Sequence, residues 1–438
     1  MADLTRRARH HNPLDFRPPR PNRFIQGMMK GVLPWVFKQL YHDLSVQMDA
    51  ASFQNLQSIQ GERCLILPNH PTEWDPGVLF EVAKRLHENF YFVAAREVFD
   101  FDHGLCGWLF QRLGVYSLVR GSQDLKSLKT SIDILSRNKG RLVIFIEGEI
   151  SNQNETLLPL EAGVIQLAFM ALNDLYKHHE KQLDNVPPLF LCPMGLHYVY
   201  HPTGLDKTIE ESLLSLESAT GCSPLNETHG LLSRYERFQQ LSLKVLSRAG
   251  QQSGLAYDPN QSIADNVYRL SDFMLGKLEG LINLPSDPGW SHLERIRQIR
   301  NVMDKILTQS EEEAHTPYEK RLFLHQKSIL KNFYADLDRL VNFIAIYDGY
   351  LQPDMDAGRS VALIRRLEKE VFGHVRLAHP RTVHITVPPP IDLNSYFPAF
   401  LANKRDTIAS LSNTIEQQIY QAIFNLSQAK RPGGRQTV

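Results

Sequence analysis

The sequence is poor in cysteine and lacks any long, uninterrupted apolar run. None of its four cysteines stands in a C-x-x-C spacing, so we expect buried, reduced thiols in an intracellular protein. A membrane-spanning helix needs about 18 or more consecutive apolar residues, and no such stretch occurs. The basic N-terminus is not followed directly by the apolar segment of a signal peptide. These absences argue against a disulfide-stapled scaffold and against a membrane-spanning protein.

The sequence also has no excess of charge of either sign, because 48 basic side chains balance 48 acidic ones. A neutral chain offers no long-range field to attract nucleic acid, and we expect no nucleic-acid partner. Any anionic ligand must therefore meet a local group of basic residues. A length of 438 residues is typical of two or three domains, or of one domain that carries a large insertion.

Residues 1–44 combine a basic segment with a predicted helix. The arginines of this segment are Arg6, Arg7, Arg9, Arg17, Arg20 and Arg23. Apolar side chains then repeat at helical spacing, at Ile25, Met29, Val32, Val36 and Leu40. An apolar helix beside arginines can lie in the headgroup region of an anionic bilayer, as a peripheral segment on its cytoplasmic surface. The alternative is a helix that packs on the core of the protein itself.

Residues 45–206 alternate between predicted strands and predicted helices. The strands are Arg63–Leu67, Phe90–Ala95, Val115–Val119, Arg141–Ile146 and Leu189–Tyr200. The helices are Asp75–Leu86, a segment that ends at Trp108–Leu113, Leu125–Arg137 and Ala162–Tyr176. This alternation predicts an α/β fold in which a central mixed sheet is flanked by helices.

Residues 207–375 contain few strand patterns and many helical ones. Ser262–Ile282 and Ser291–Leu307 are typical of helices, and an apolar stripe from Leu330 to Ile344 indicates a further long helix. We interpret this part of the chain as an α-helical insertion or a second, helical domain.

Residues 376–429 return to the α/β pattern, with a strand at Thr382–Val387 and a helix at Arg405–Leu426. We predict that they complete the domain that residues 45–206 begin. Residues 430–438 are predicted to be a disordered tail.

The segment from Pro68 to Asp75 (PNHPTEWD) follows a predicted buried strand and opens a predicted helix. In an α/β sheet, this is where functional sites lie. A carboxylate five positions after a histidine can fix the imidazole tautomer, which leaves the other ring nitrogen free to accept a proton. The H-x4-D spacing also occurs at His10, His179 and His201, without this context. His70 and Asp75 are therefore the candidate catalytic pair.

Three further segments follow predicted strands in a fixed order. They are Gly114–Arg120 (GVYSLVR), Phe145–Glu149 (FIEGE) and Cys192–Gly195 (CPMG). With His70 and Asp75 as the H-x4-D match, the set resembles the glycerolipid acyltransferase family, which comprises the PlsC-like lysophospholipid and glycerol-phosphate acyltransferases. The resemblance covers residues 61–200. Ile385–Asp392 (ITVPPPID) resembles the last strand of that family, which would make the helical part an insertion.

The resemblance implies an O-acyltransferase of phospholipid biosynthesis, such as a 1-acylglycerol-3-phosphate or related lipid acyltransferase. His70 would act as the general base on an acceptor hydroxyl, and Asp75 would orient the imidazole. The implied partners are a membrane lipid as acceptor and acyl-CoA or acyl carrier protein as thioester donor, with no metal and no resident cofactor. The acceptor, the acyl chain length and the oligomeric state stay undetermined.

Candidate substrate-binding residues surround the pair in the sequence. They are Asn69, Arg96, Arg120, Glu147 and Gly148. A guanidinium is suited to an acceptor phosphate, which points to Arg120 with Arg96. Glu147 either supports the turn beside His70 or contacts the acceptor hydroxyls. Gly148 allows a close approach of the backbone.

The third block departs from the family pattern F-P-E-G-T-R. Ile146 replaces the proline, and Glu149 and Ile150 replace the threonine and the arginine. That arginine is implied to hold the acceptor phosphate, so its loss predicts that a phosphate monoester is a poor acceptor. The alternative is that Arg96 or a lysine of the helical part supplies the cation. Two milder departures are Leu118 in the second block and Pro388 in the last.

Two other functions stay open. A catalytically weak lipid-binding protein that keeps the fold would explain the altered third block, although the intact His70 and Asp75 favour an enzyme. The helical part could instead serve as a docking module for a partner. The sequence contains no G-x-S-x-G, so the nucleophile of an α/β-hydrolase is not supported. The two pairs of adjacent histidines, His10–His11 and His178–His179, have no neighbouring carboxylate or cysteine cluster that would indicate a metal site.

Overall fold

The computed structural model describes residues 16–118, 124–155, 157–226, 230–308, 316–347, 351–353 and 355–429. These residues fall into two compact units. Unit 1 contains the described residues within 16–118, 124–201 and 379–429, and unit 2 contains the described residues within 202–378. The predicted tail at 430–438 and the arginines before residue 16 lie outside the described residues.

The elements of unit 1 come from both ends of the chain. Its strands are β1 (Leu44–Met48), β2 (Arg63–Pro68), β3 (Tyr91–Ala95), β4 (Val115–Leu118), β5 (Arg141–Val143), β6 (Leu189–Tyr200), β9 (Arg381–Thr386) and β10 (Ile391–Asp392). Its helices are α1 (Arg23–Gln39), α2 (Ala50–Ser58), α3 (Asp75–Arg85), α4 (Leu105–Leu113), α5 (Leu125–Ser136), α6 (Ala162–His178), α13 (Phe397–Ala402) and α14 (Lys404–Ala429).

The strands of unit 1 form one mixed sheet of eight strands in the order β1-β9-β6-β2-β5-β3-β4, with β10 paired to β6. The pairs β6–β9 and β6–β10 are antiparallel, and the other pairs are parallel. Helices flank this sheet, which confirms the predicted fold class. The predicted strand at 382–387 is β9, and its expected place in the same sheet as β5 and β6 is also confirmed.

The sheet buries side chains on both of its faces. Along β2, five of the six residues are buried, as expected for a parallel strand covered on two sides. Leu65 packs with α5, α6 and α14, whereas its neighbour Ile66 packs with α1, α2 and α3. The continuous apolar run RCLIL therefore serves two separate cores, one on each face of the sheet.

The free edge of the sheet at β4 is covered by the segment that precedes α1. The Arg17 amide donates to Ser117 Oγ at 2.7 Å, and the Ser117 amide donates to the Arg17 carbonyl at 3.0 Å. The Arg20 amide donates to the carbonyl of Gln111 in α4 at 2.8 Å. These contacts satisfy backbone groups that an open edge would expose.

Two predictions of local structure need correction. The strand predicted at 141–146 ends at Val143, because the chain then leaves the β3 side while Ile144 and Ile146 still donate to the carbonyls of β2 at 3.0 and 3.2 Å. Of the four cysteines, Cys64 and Cys192 are buried as expected, but Cys106 and Cys222 are half-buried.

Unit 2 is built from helices and one short hairpin. The helices are α7 (Leu205–Thr220), α8 (Arg234–Ser253), α9 (Ile263–Leu281), α10 (His292–Thr308), α11 (Pro317–Tyr347) and α12 (Ala357–Phe372), and the hairpin strands are β7 (Leu225–Asn226) and β8 (Gly230–Leu231). Helix α8 begins with a capping box between Ser233 and Glu236. Buried arginines join the helices, since Arg237 binds Glu217 at 2.6 Å. Among the described helices of the chain, none combines the length and the apolar character needed to cross a membrane.

Candidate active site

The His70–Asp75 pair lies at the carboxyl edge of the sheet. Strand β2 ends at Pro68, and α3 begins at Asp75 with a proline in its first turn. Proline is suited to the first turn of a helix, where its missing N–H has no partner to lose. The fold thus places the segment 69–74 as a short turn between a buried strand and a helix.

The two side chains form a hydrogen-bonded dyad. His70 Nδ1 lies 2.7 Å from Asp75 Oδ2. Asp75 is fully buried, whereas 14% of the His70 side chain is exposed. An ionised carboxylate only accepts, so the proton of a neutral His70 imidazole resides on Nδ1. Nε2 is then the nitrogen that can take a proton from a substrate hydroxyl.

Asp75 accepts from three further donors besides His70. The Thr72 amide donates to Oδ2 at 2.9 Å, and the Thr72 hydroxyl donates to Oδ1 at 2.8 Å. The hydroxyl of Tyr198 in β6 also donates to Oδ1, at 2.5 Å. Tyr198 was not predicted from the sequence, because nothing in the local pattern of a strand reveals a partner 123 residues away.

The imidazole of His70 is further fixed by the third sequence block. The ring of Phe145 stacks on it, with ring centroids 3.9 Å apart and an angle of 16° between the planes. The His70 amide donates to Glu147 Oε1 at 2.6 Å, and the Leu158 amide donates to Oε2 at 2.8 Å. The turn at Phe145–Gly148 thus holds His70 through its ring and through its backbone.

Glu147 is a fully buried carboxyl group. Burial raises its pKa to about 7, although the amides of His70 and Leu158 act in the opposite direction by favouring the charged form. Gly148 has a φ of +72°, and a Cβ at this position would lie 3.1 Å from the side chain of Glu161. The left-handed backbone conformation accounts for glycine in this turn.

Asn69 connects the dyad segment to β6. Its side-chain amide donates to the Leu196 carbonyl at 3.0 Å, and its Oδ1 accepts from the Leu196 amide at 2.7 Å. The residue is 1% exposed. Both polar atoms of the side chain therefore pair with backbone, and Asn69 fixes the turn to the neighbouring strand.

Of the two arginines that were predicted to bind an acceptor phosphate, the structure describes only Arg96. Arg96 directly follows β3, and its guanidinium is buried and lies 3.0 Å from the carboxylate of Asp100. Arg120 lies outside the described residues. Glu149 and Ile150, which stand in place of the family's Thr–Arg pair, are half-buried.

Aromatic residues that were not predicted from the sequence lie near Asp75. The ring of Tyr41 is 4.5 Å from that of Trp74, measured between centroids. Burial, with the charges of Asp75 and Glu73, raises the pKa of Tyr41 to about 12. The guanidinium of Arg381 at the start of β9 is buried and lies 5.9 Å from the centre of the Tyr198 ring.

Within the described part of the chain, no group of three or more His, Cys, Asp and Glu side chains is arranged to hold a metal ion. The arrangement instead offers a single half-buried base, supported by a buried carboxylate, at the carboxyl edge of an α/β sheet. This combination can transfer a proton from a hydroxyl and thereby activate it as a nucleophile.

The dyad lies in a part of the chain that matches a known family. Residues 51–192 match the family model described as Acyltransferase, which confirms the resemblance to the PlsC-type glycerolipid acyltransferases over that segment. The segment is an acyltransferase domain, and its general activity is acyl transfer on lipids. It includes His70, Asp75 and Glu147, whereas Tyr198 and β9 lie beyond it. No curated protein matches the chain.

Proposed function

We propose that the protein transfers an acyl chain from a thioester, either acyl-CoA or acyl carrier protein, to a hydroxyl of a glycerolipid or lysophospholipid. The observation that carries the proposal is the 2.7 Å contact between His70 Nδ1 and Asp75 Oδ2. It leaves the other imidazole nitrogen, Nε2, as an acceptor, and the ring of Phe145 stacks on the imidazole and holds it in place.

The proposed reaction requires one base and no covalent enzyme intermediate. His70 Nε2 takes the proton of the acceptor hydroxyl while the hydroxyl oxygen forms a bond to the carbonyl carbon of the thioester. The carbon–sulfur bond then breaks, and the leaving thiolate recovers the proton from the imidazolium. Asp75 stabilises the imidazolium throughout, because its buried carboxylate lies against Nδ1.

Three of the predicted substrate-binding residues are better explained as supports of the base. Asn69 and Glu147 are buried, and their side chains bind backbone amides and a carbonyl of neighbouring segments. Of the two roles left open for Glu147, these contacts support the structural one. Gly148 permits the turn that carries Glu147.

The acceptor proposed here carries little net charge at the hydroxyl end. The third block lacks the arginine of the family pattern, and Arg96 already has Asp100 as a partner at 3.0 Å. A second negative charge beside Glu149 would be repelled in a partly desolvated site. A neutral or zwitterionic lysolipid should therefore be a better acceptor than lysophosphatidic acid.

We also propose that the enzyme works at a membrane surface, to which α1 attaches it. One face of α1 packs on unit 1 through Leu33 and Phe37. A different face carries apolar side chains that are 40–79% exposed: Phe24, Met28, Val32 and Trp35. Helix α4 packs beside α1 and adds the exposed Leu105 and Trp108. Arg23 and Lys38, at the two ends of α1, suit anionic headgroups.

The test is a thiol-release assay with acyl-CoA and acyl carrier protein thioesters against a panel of lysolipids, with and without vesicles. We expect thiol release that depends on acceptor and donor, with neutral or zwitterionic lysolipids used faster than lysophosphatidic acid at equal concentration. A preference for lysophosphatidic acid that Arg120→Ala abolishes would contradict the acceptor proposal. Lipid binding without any thiol release would contradict the enzymatic proposal and favour a lipid-binding protein.

A further inference from the structure

Tyr198 forms a hydrogen bond to Asp75 from outside the dyad segment. Its hydroxyl lies 2.5 Å from Asp75 Oδ1, on the carboxylate oxygen that does not face His70. The phenol is buried with the carboxylate. Tyr198 thus reaches the dyad from β6, on the far side of Asp75 from the imidazole.

Both polar groups of the Tyr198 backbone form hydrogen bonds with one side chain, that of Asn154. The Asn154 side chain accepts from the Tyr198 amide at 2.7 Å and donates to the Tyr198 carbonyl at 2.6 Å. Two residues earlier, Asn69 pairs in the same way with the backbone of Leu196. Two asparagine side chains therefore fix the part of β6 that extends beyond the end of β2, and with it the position of the phenol.

The surroundings keep the phenol in its protonated form. Burial, with the negative charge of Asp75, raises the pKa of Tyr198 well above its usual value. Two further groups influence the phenol: the Arg381 guanidinium, 5.9 Å from the centre of the ring, and the Thr72 hydroxyl, 3.2 Å from the phenol oxygen. Tyr198 therefore remains a hydrogen-bond donor to Asp75 throughout the working pH range.

We propose that Tyr198 is a positioning residue of the acyl transfer, which acts through Asp75 to set the orientation and the proton affinity of His70. This inference rests on the proposed function of the dyad. Asp75 distributes its negative charge over four donors, two on each oxygen. Without the hydrogen bond from the phenol, the negative charge of Asp75 is less stabilised by other donors and attracts the imidazolium more strongly. His70 should therefore keep its proton to a higher pH.

Tyr198→Phe removes the hydroxyl and little else. The matched control is Tyr116→Phe, because Tyr116 is also buried in unit 1 and its hydroxyl makes a 2.6 Å hydrogen bond to Ser131, away from the dyad. Both variants are compared with the wild type in thermal unfolding, so that a loss of fold is detected directly.

The first measurement does not depend on turnover. In protein with labelled histidine, the NMR titration of His70 is identified by its loss in His70→Ala. We expect its midpoint to rise by about 0.5 pH unit or more in Tyr198→Phe and to stay unchanged in Tyr116→Phe. An unchanged midpoint in Tyr198→Phe would overturn the inference, whether or not the protein proves to be an acyltransferase.

The second measurement is the pH profile of kcat/KM for thiol release. Loss of a hydrogen bond to a charged group should lower kcat about tenfold in Tyr198→Phe and move the acidic limb of the profile upwards. A lower kcat with an unmoved acidic limb would show a merely structural role and overturn the inference. If the wild type releases no thiol, the proposed function fails, and the NMR titration still decides the role of Tyr198.

If Tyr198→Phe does not fold, the wild type and Tyr116→Phe can be produced with fluorotyrosine. A more acidic phenol donates a stronger hydrogen bond to Asp75, so the His70 midpoint should fall in both proteins. A midpoint that does not respond to fluorination would overturn the inference.

Discussion

At the scale of single residues, the site depends on a carboxylate that accepts four hydrogen bonds while it is removed from water. Asp75 has no exposed surface, and its four donors come from His70, Thr72 and Tyr198. An amide in its place would present N–H groups to donors that need an acceptor, and it would favour the wrong tautomer of His70.

We therefore expect Asp75→Asn and His70→Ala each to lower the rate of thiol release by roughly 10²–10⁴ or more, the range that a positioned general base contributes. The measurement is initial rate at saturating donor, with circular dichroism to verify the fold. Asp133→Asn is the matched control, because Asp133 is a half-exposed carboxylate on α5 that pairs with Arg137. Wild-type rates in His70→Ala would refute the proposed mechanism.

Glu147 provides a residue-scale prediction about stability. Its pKa in the folded protein is about 7 against an ordinary value of 4.5, so the folded state holds a proton that the unfolded state has released between these pH values. The free energy of unfolding should therefore fall by about 3 kcal/mol as the pH rises from 4.5 to 7, and this component should change no further above pH 7.

Urea unfolding of the wild type and Glu147→Gln at pH 5 and pH 8 measures this effect. The stability of the wild type relative to Glu147→Gln should be lower at pH 8 than at pH 5, because glutamine does not titrate. Glu62→Gln, at a more exposed site, is the matched control. An equal difference at both pH values would contradict the assignment.

At the scale of elements, α1 presents apolar side chains on two faces, and only one of them is covered by the protein. A pair of substitutions on the exposed face, Phe24→Glu with Trp35→Glu, should leave the packing of Leu33 and Phe37 intact. Burial of one large apolar side chain contributes about 1.5–3 kcal/mol, so the pair should weaken binding to anionic vesicles by at least tenfold.

Vesicle co-sedimentation measures this binding, and the matched control is Tyr420→Glu with Phe424→Glu. These rings stack on α14 and are about as exposed as Trp35. The control should bind like the wild type. Equal losses in both double variants, or no loss in either, would show that α1 is not the attachment surface.

The elements that the sequence predicted correctly are those with strong local patterns. The buried strands β2 and β6 are continuous apolar runs, and α9 and α10 have clear helical periodicity with breakers between them. Strand β1 was missed because it is short, alternates in burial, and pairs with β9, which is far away in the sequence.

The difference between local patterns and distant pairing also explains which site residues could be predicted from the sequence and which could not. His70 and Asp75 are five positions apart, so their spacing is visible in the sequence. Tyr198 reaches Asp75 only because β6 and β2 are neighbours in the sheet. On α1, the predicted stripe Ile25–Leu40 mixed residues of both faces, because a helix that is apolar on two faces does not reveal which of them the protein covers.

At the scale of the whole molecule, the chain leaves unit 1 and returns to it at adjacent points. Tyr200 of β6 pairs with Arg381 of β9, and the His201 amide donates to the Pro380 carbonyl at 3.0 Å. The two strands are antiparallel there, so a short loop of about four residues can join them. This geometry supports the proposal that the helical part is an insertion in the α/β domain.

Replacement of residues 202–379 by a loop of about four glycine and asparagine residues should therefore give a folded unit 1. We expect one cooperative thermal transition, and thiol release from a short-chain donor that disappears when His70→Ala is added. The change removes the hydrogen bond between His379 Nε2 and the His201 carbonyl, so a lower Tm than that of the full chain is expected. An unfolded product would show that unit 1 depends on unit 2 for its stability.

The pairing of β1 with β9 also has a consequence for synthesis on the ribosome. Leu44 pairs with Arg381, so the edge strand β1 is made roughly 340 residues before its neighbour. At a synthesis rate of about 5–20 residues per second, β9 is made between about 17 and 70 s after β1. His70, Asp75 and Tyr198 have all been made by the time β6 is complete, so the nascent chain holds every part of the dyad while the sheet beside it is still open.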